Sequence, residues 1–388
     1  MNLRKLFFSL LLIGAACPKI FSQKLNKDTY GKGHNIVAND SSFALNFEAR
    51  FQSLYVGVQN RDQNTYSDQF LIRRARLKFK GFVYNPRLTY KFELALSNRD
   101  IRSGGIPQSG NTANIVLDAV VKYKLTKNLE IWAGQTKLPG NIERVISSGA
   151  LQLVDRSNLN SKFNIDRDAG VQLRYQNDYL RVKTAISSGE GRNMTVSNVG
   201  GYDYTTRVEW LPFGNFSGKG DYFGADLKRE DSPKLMLGFT YDYNDGATRE
   251  KGQTGAFLSQ KRDLKTVFLD AHLKYKGFSS MIEYAKKEAV NSPVVMEENG
   301  DVMEAFYVGN GFNAQMGYLF KNNFEIAGRY TEVNPNEETQ KNKNQQYTVG
   351  LSKYIVGHKL KVQTDFSYIK EESKSDLLQY RFQFELTL

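Results

Sequence analysis

Cysteine, histidine and proline are scarce in this chain. Its 388 residues include one cysteine, Cys17, and three histidines, so neither a disulfide scaffold nor a metal site with several cysteine or histidine ligands is expected. No apolar run of about 20 residues occurs, which excludes a multi-pass helical membrane protein. Eight prolines and 13% aromatic residues are unlike a disordered chain. We expect no metal, no cofactor and no catalytic residue.

The N-terminus has the pattern of an export signal. A basic start precedes residues 6–18, which are uncharged and mostly apolar but too few to span a bilayer as a helix. We expect a signal peptide at residues 1–22 and a loosely ordered N-terminal periplasmic segment at residues 23–42. Lipidation at Cys17 is the alternative.

Hydrophobic residues recur with period two along the rest of the chain, which is typical of β-strands with one apolar face. In residues 87–97, for example, Tyr90 and Phe92 alternate with Lys91 and Glu93. No long segment has amphipathic helical spacing. Sixteen segments follow this pattern: 43–57, 69–83, 87–97, 113–125, 128–137, 168–177, 178–187, 201–211, 234–245, 262–276, 277–286, 303–320, 323–333, 344–356, 358–369 and 377–388.

The connections between these segments alternate between very short and long. Short links such as 84–86 and 276–277 are followed by long polar links, and only 212–233 is long where a short link is due. Transmembrane β-barrels have this alternation, with tight periplasmic turns and longer external loops. We therefore predict an all-β fold, a single transmembrane antiparallel β-barrel of about sixteen strands over residues 43–388.

Two other folds share the alternation. A β-sandwich would need fewer strands, and a soluble barrel would place its apolar residues inside. The export signal, the aromatic residues at strand ends such as Tyr55 and Tyr243, and the alternating C-terminal strand favour a barrel with a polar interior in the outer membrane.

A basic row marks the second predicted strand. Alternate residues point to the same face, so four bases of this strand point into the lumen, and one base on each neighbouring strand flanks them. Such a row suits an anion path. The same parity places nearly as many carboxylates inside, so an ordinary solvated wall is the open alternative. The predicted anion-path residues are Arg50, Arg74, Arg76, Lys78, Lys80 and Lys91.

The link 138–167 is the longest one on the predicted external side. Folded inward, it would narrow the pore; the alternative is a surface loop. Its charges are close to balanced. The candidate constriction residues at or near this link are Lys137, Glu143, Arg144, Arg156 and Lys162.

Other function classes fit less well. A barrel enzyme usually needs a histidine beside a nucleophile or an acid, and only His34, His272 and His358 are available. An outer-membrane barrel enzyme stays as the alternative from another class of function. An energised uptake receptor would need a large plug domain before its barrel. Nucleic acid is not an expected partner, because the positive charge is spread over many strands.

Three motifs follow one another along the chain: FLIRRAR at 70–76 with Gly81, GQTKLP at 134–139 with Glu143, and RDAGVQL at 167–173. In this order and spacing they resemble the phosphate-selective porin O and P family. The resemblance covers roughly residues 43–388. It implies a sixteen-stranded, trimeric outer-membrane porin whose third loop folds inward.

The sequence and the resemblance together predict a porin in the outer membrane of a Gram-negative bacterium. We expect passive diffusion of small hydrophilic solutes with a modest preference for anions such as phosphate. The family's dense run of arginines and lysines maps only onto the basic row, so a non-specific or neutral-solute channel is the alternative. The expected partners are small anions, outer-membrane lipid and two further copies of the chain.

Overall fold

The computed structural model describes residues 30–98, 100–101, 114–195, 198 and 201–388. The expected signal peptide at residues 1–22 lies outside the described residues, as does the first part of the 23–42 segment. Within the described part, none of the helices combines the length and the apolar character needed to cross a bilayer.

Most of the regular secondary structure in the described residues is β-strand. The two short α-helices, α1 and α2, both lie between β6 and β7, and 3-10 turns occupy Ser217–Tyr222 and Glu337–Thr339. The elements are β1 (His34–Val37), β2 (Phe43–Asn60), β3 (Thr65–Val83), β4 (Asn85–Ala95), β5 (Val116–Lys124), β6 (Leu129–Lys137), α1 (Ile142–Val145), α2 (Asn158–Phe163), β7 (Arg167–Gln176), β8 (Leu180–Ser187), β9 (Asp203–Trp210), β10 (Lys234–Arg249), β11 (Phe257–Tyr275), β12 (Phe278–Ala289), β13 (Val294–Glu298), β14 (Asp301–Ala305), β15 (Gly309–Leu319), β16 (Phe324–Pro335), β17 (Asn344–Val356), β18 (Leu360–Glu371) and β19 (Leu377–Thr387).

The strands β2–β12 and β15–β19 form one closed barrel of sixteen strands. Each pairs antiparallel with the next along the chain, and β12 pairs with β15 across the connection that contains β13 and β14. The barrel closes where Leu377 and Thr387 of β19 pair with Asn60 and Arg50 of β2. The predicted fold class is therefore confirmed.

The barrel is apolar outside and polar inside. On β10, Leu237, Phe239 and Tyr241 are exposed, whereas Thr240 and Asp242 are buried. A soluble barrel would have the opposite pattern, because its packed core would take the apolar side chains. The exposed aromatic and aliphatic side chains face lipid, and the buried polar ones face the lumen.

Two predicted segments differ from the structure. Residues 23–42 were expected to be loosely ordered, yet His34–Val37 forms β1 and pairs with Ala44–Phe47 of β2. The reason is that β2 extends past the last residue of β19 that it pairs with, which leaves an open strand edge. The predicted segment 303–320 is divided, because Asp301–Ala305 pairs with β13 in a separate hairpin.

The connections confirm two distinct ends of the barrel. Tyr84 alone joins β3 to β4, and residues 276–277 join β11 to β12. Longer connections, such as 138–166 and 290–308, lie at the opposite end, which we call the long-loop end. The exception at the short-turn end is 211–233, as the link lengths predicted.

Cysteine labelling tests the orientation of the barrel. If the long-loop end faces outward, a cysteine replacing Ser292 should react with an impermeant thiol reagent on intact cells, and one replacing Asn85 should not. Cys17 is the chain's one native cysteine and lies in the expected signal peptide, so the background should be low. Labelling at position 85 alone would reverse the orientation.

Candidate functional site

Residues 138–166, between β6 and β7, contact lumen-facing side chains around the barrel. Leu159 and Phe163 of α2 are fully buried in one apolar cluster with Phe268 of β11 and Val333 of β16. Apolar side chains on the inner face of a barrel with a polar interior need such a partner, because otherwise they would face water. This cluster holds the segment against the β8–β16 side of the lumen.

A second set of contacts extends across the same segment. Ile142 and Ile146 pack with Met236 and Met281 of the wall. Gln152 donates from Nε2 to Ser279 Oγ at 2.8 Å and to Glu325 Oε1 at 2.6 Å, and it accepts from Gln315 Nε2 at 2.7 Å. Its side chain is thus held by three strands, β12, β15 and β16.

The long link 211–233 meets this segment from the short-turn end. The Gly224 amide donates to the Ala150 carbonyl at 2.8 Å. Lys274 Nζ of β11 donates to the carbonyls of Gly220 and Ala225, at 2.7 Å each. The connection that breaks the short–long alternation therefore contributes to filling one side of the lumen.

Two cavities lie on the other side, along β2–β7. We call them the outer cavity, of about 390 Å³, toward the long-loop end, and the inner cavity, of about 410 Å³, toward the short-turn end. Four arginines line both cavities and so lie where the two meet; we call them the arginine junction. Its members are Arg76, Arg144, Arg156 and Arg167.

Both cavities carry an excess of positive charge. The outer cavity is lined by eight arginines and three aspartates. The inner cavity is lined by eleven lysines and arginines and four carboxylates. Because a narrow passage with low-dielectric walls concentrates the field of its charges, this excess favours anions over cations along the whole path.

The predicted basic row is partly neutralised by ion pairs. Arg76 pairs with Asp100 at 2.7 Å and with Glu93 at 3.2 Å, yet it still lines both cavities. Arg74 is buried and pairs with Asp155 at 3.1 Å in the outer cavity.

The rest of the row lies toward the inner cavity. Lys78 and Lys80 share Glu48 as partner, and Lys80 lines neither cavity. Lys91 pairs with Asp118 at 2.6 Å, and Arg50 donates to Ser148 Oγ at 2.6 Å; both line the inner cavity.

Some of the candidate constriction residues hold the segment in shape. Lys137 Nζ donates to the carbonyls of Arg144, Val145 and Ile146, at 2.7, 3.1 and 3.3 Å. Glu143 accepts from the amide and the hydroxyl of Ser157. These two residues define the turn around α1.

Lys162 lies elsewhere. Its Nζ is 5.1 Å from the centre of the Tyr307 ring, and it lines neither cavity.

Arg144 and Arg156 of the arginine junction differ in their partners. Arg144 pairs with Asp166, whereas Arg156 donates to two carbonyls, those of Glu143 and Ile146. Burial, followed by the charges of Arg156 and Arg167, holds the pKa of Arg144 well below its usual value, and burial lowers the pKa of Arg156 to about 10. Guanidinium groups stay protonated even so, and an anion between them would relieve their repulsion.

Strand parity missed two arginines of the path. A β-bulge opposite Gln52 and Ser53 makes Arg73 an extra residue, so Arg73 and Arg74 both reach Asp155 in the lumen. Arg167 stands at the first position of β7, where the chain leaves the loop. In the sequence, only the two consecutive arginines at 73–74 indicated that the strand places neighbouring basic residues on the same side.

A closed sixteen-stranded barrel with an aqueous, charged interior and a lipid-facing surface is an outer-membrane porin. The sequence profile of phosphate-selective porin O and P matches residues 44–384, and the chain belongs to this family. Family and fold indicate a channel rather than an enzyme and a place in the Gram-negative outer membrane. A comparison with curated proteins finds no match.

Solved structures share the fold at low sequence identity. The outer membrane channel DcaP of Acinetobacter baumannii has a TM-score of 0.57 at 10% identity, over 90% of this chain and 99% of its own. An anion-selective porin from Comamonas acidovorans has a TM-score of 0.55 at 11% identity, over 89% and 100%. OmpT of Vibrio cholerae, in a trimer form, gives 0.55 at 10%, also over 89% and 100%.

Proposed function

We propose that this porin lets small hydrophilic anions, phosphate among them, diffuse passively across the outer membrane. The observation that carries the proposal is the arginine junction, where four guanidinium groups border both cavities. A solute that passes from one cavity to the other must pass them. The basic row contributes to this path through Arg74, Arg76 and Lys78, and the segment 138–166 supplies Arg144 and Arg156.

The carboxylates of the lumen set the size of the preference. Glu48, Glu93, Asp118 and Asp155 each pair with bases of the path. Such pairs lower the field without removing its sign, so an anion is attracted at several successive points and trapped at none. A modest anion preference follows, and strict phosphate specificity does not.

Assembly and export are part of the same proposal. One structural relative is described as a trimer form, which supports a homotrimer for this chain. The strand β2 starts at the short-turn end of the barrel. This agrees with a chain that is exported by a signal peptide at residues 1–22 and then passes through a periplasmic segment at residues 23–42, because the short turns of such barrels face the periplasm. A neutral-solute channel stays the second candidate, because many wall charges are paired.

The reversal potential in a KCl gradient tests the proposal. In a planar bilayer the sign should show that chloride is more permeant than potassium. The preference should weaken as salt rises, because the Debye length falls from about 30 Å at 0.01 M to about 3 Å at 1 M. A potential of zero at low salt would instead favour the neutral-solute channel, and one of the cationic sign would contradict the proposal.

A further inference from the structure

The two cavities differ in the apolar part of their walls. Among the described residues that line the outer cavity, the one hydrophobic side chain is that of Leu117, and it is buried. The inner cavity is lined by two aromatic rings that are only partly buried, those of Trp132 and Phe223, and by Val145 of α1. Small-molecule sites combine an apolar wall with a few charged or polar groups, and the inner cavity has this combination.

Phe223 brings an apolar surface to the aqueous interior. It belongs to the link 211–233, and the backbone beside it is fixed because the Gly224 amide donates to the Ala150 carbonyl at 2.8 Å. The ring stacks on that of His358, with 5.3 Å between the ring centres. It is still 37% exposed, so an apolar solute that covers it would remove this surface from water.

Trp132 holds two cations at the wall of the same cavity. Lys122 Nζ lies 3.6 Å and Arg174 Cζ lies 3.7 Å from the centre of its ring, and all three side chains line the inner cavity. Two groups so close to one ring centre must lie on opposite faces, because on one face they would overlap. The indole Nε1 donates to Glu130 Oε2 at 3.0 Å, which holds that carboxylate at the edge of the ring.

The charges of Lys122 and Arg174 are not cancelled by ion pairs. Arg174 donates to Gln172 Oε1, a neutral acceptor, at 2.6 and 3.0 Å. Within the part of the chain that the structure describes, neither cation forms an ion pair with a carboxylate. An aromatic face attracts a cation without neutralising its charge, so two positive charges stay available to an anion in the cavity that Phe223 lines.

We propose that the inner cavity binds an aromatic carboxylate, for which benzoate is the simplest probe. The carboxylate pairs with Lys122 and Arg174, and the aromatic ring covers Phe223. An inorganic anion would leave the Phe223 ring in water, and a neutral aromatic solute would leave the two cations without a counter-charge. The volume of about 410 Å³ is in the range of small-molecule sites. This inference rests on the proposed anion path and names a class of solute for it.

Block of the KCl current in planar bilayers tests the inference. We expect benzoate to reach half-block at a concentration about ten-fold lower than acetate, because its ring removes apolar surface from water. Benzyl alcohol, which has the ring without the charge, should block far less than benzoate. An anion-selective channel with equal half-blocking concentrations for benzoate and acetate would overturn the inference, and so would equal block by benzoate and benzyl alcohol. A reversal potential of the cationic sign in KCl would instead reject the anion path itself.

Paired variants identify the side chains responsible. Phe223→Ala should bring the half-blocking concentration of benzoate close to that of acetate. Phe213→Ala is the matched control, because Phe213 is 52% exposed in the same link but lines neither cavity. Lys122→Gln should weaken block by both anions, whereas Lys124→Gln, on the same strand and outside both cavities, should not. An undiminished advantage of benzoate in Phe223→Ala would overturn the assignment to this cavity.

Tryptophan fluorescence measures binding without relying on the current. The chain has two tryptophans, and Trp210 is 53% exposed on the outer surface of β9, so Trp210→Phe leaves Trp132 as the sole reporter. In detergent, benzoate should change the emission of Trp132 over the concentrations that block the current, and acetate should need a concentration about ten-fold higher. An emission that benzoate does not change, or that both anions change equally, would overturn the inference.

Discussion

Replacing Arg144 and Arg156 together by glutamine should lower the chloride-to-potassium permeability ratio about ten-fold at low salt, because unit charges a few ångströms from an ion change its free energy by about 1 kcal/mol or more. Both arginines border the two cavities, and Arg156 donates to carbonyl groups, so its charge in particular acts directly on a passing ion. Arg144 adds a charge that Asp166 partly offsets. The reversal potential measures the change. The effect should largely vanish in concentrated KCl, where the charges are screened.

Two single variants make this experiment specific. Lys162→Gln removes a charge from the same segment but outside both cavities, so the ratio should stay unchanged. Asp155→Asn leaves Arg73 and Arg74 without their shared carboxylate, so the ratio should rise. An equal loss of selectivity in Lys162→Gln and in the double variant would show that the net charge of the loop, and not the arginine junction, sets the preference.

Loosening the segment 138–166 should raise the single-channel conductance markedly. Phe163 is fully buried against Phe268, Val333 and the edge of Tyr307. Its replacement by alanine should cost about 3–5 kcal/mol of packing at that cluster, because a large buried ring is lost and a cavity remains. With its anchor weakened, the segment would leave the lumen part of the time, and the current should become larger and noisier.

Phe239→Ala is the matched control for this variant. Phe239 has the same side chain but is exposed on the outward face of β10, so conductance should not change. Resistance of the barrel to unfolding in detergent, measured alongside, separates a loosened segment from a damaged wall. A Phe163→Ala channel with wild-type conductance would show that residues 138–166 do not limit the current.

The strands could be predicted because lipid and water impose opposite demands on the two faces of each one. Period-two alternation therefore located all sixteen barrel strands within a few residues, and the link lengths gave their order and direction. Period-two alternation did not predict the structure correctly where the chain does not contact lipid. Residues 301–305 alternate like a strand of the wall but pair with β13 in a hairpin at the long-loop end. Residues 34–37 form β1 because an edge of β2 is open, which only the unequal lengths of β2 and β19 decide.

The charges of the site were only half predictable. Parity assigned Arg74, Arg76, Lys78 and Lys91 to the lumen, because side chains on a strand alternate whatever surrounds them. Parity says nothing of pairing between distant segments, and pairing determines how much of each charge an ion feels. The bulge at Arg73, the place of Arg144, Arg156 and Arg167 between two cavities, and the place of Phe223 at the inner cavity all arise from contacts between residues far apart in the chain. The sequence by itself determined the barrel, its polar interior and the sign of its charge, whereas only the packing of 138–166 and 211–233 against lumen-facing side chains decided which charges line the two cavities.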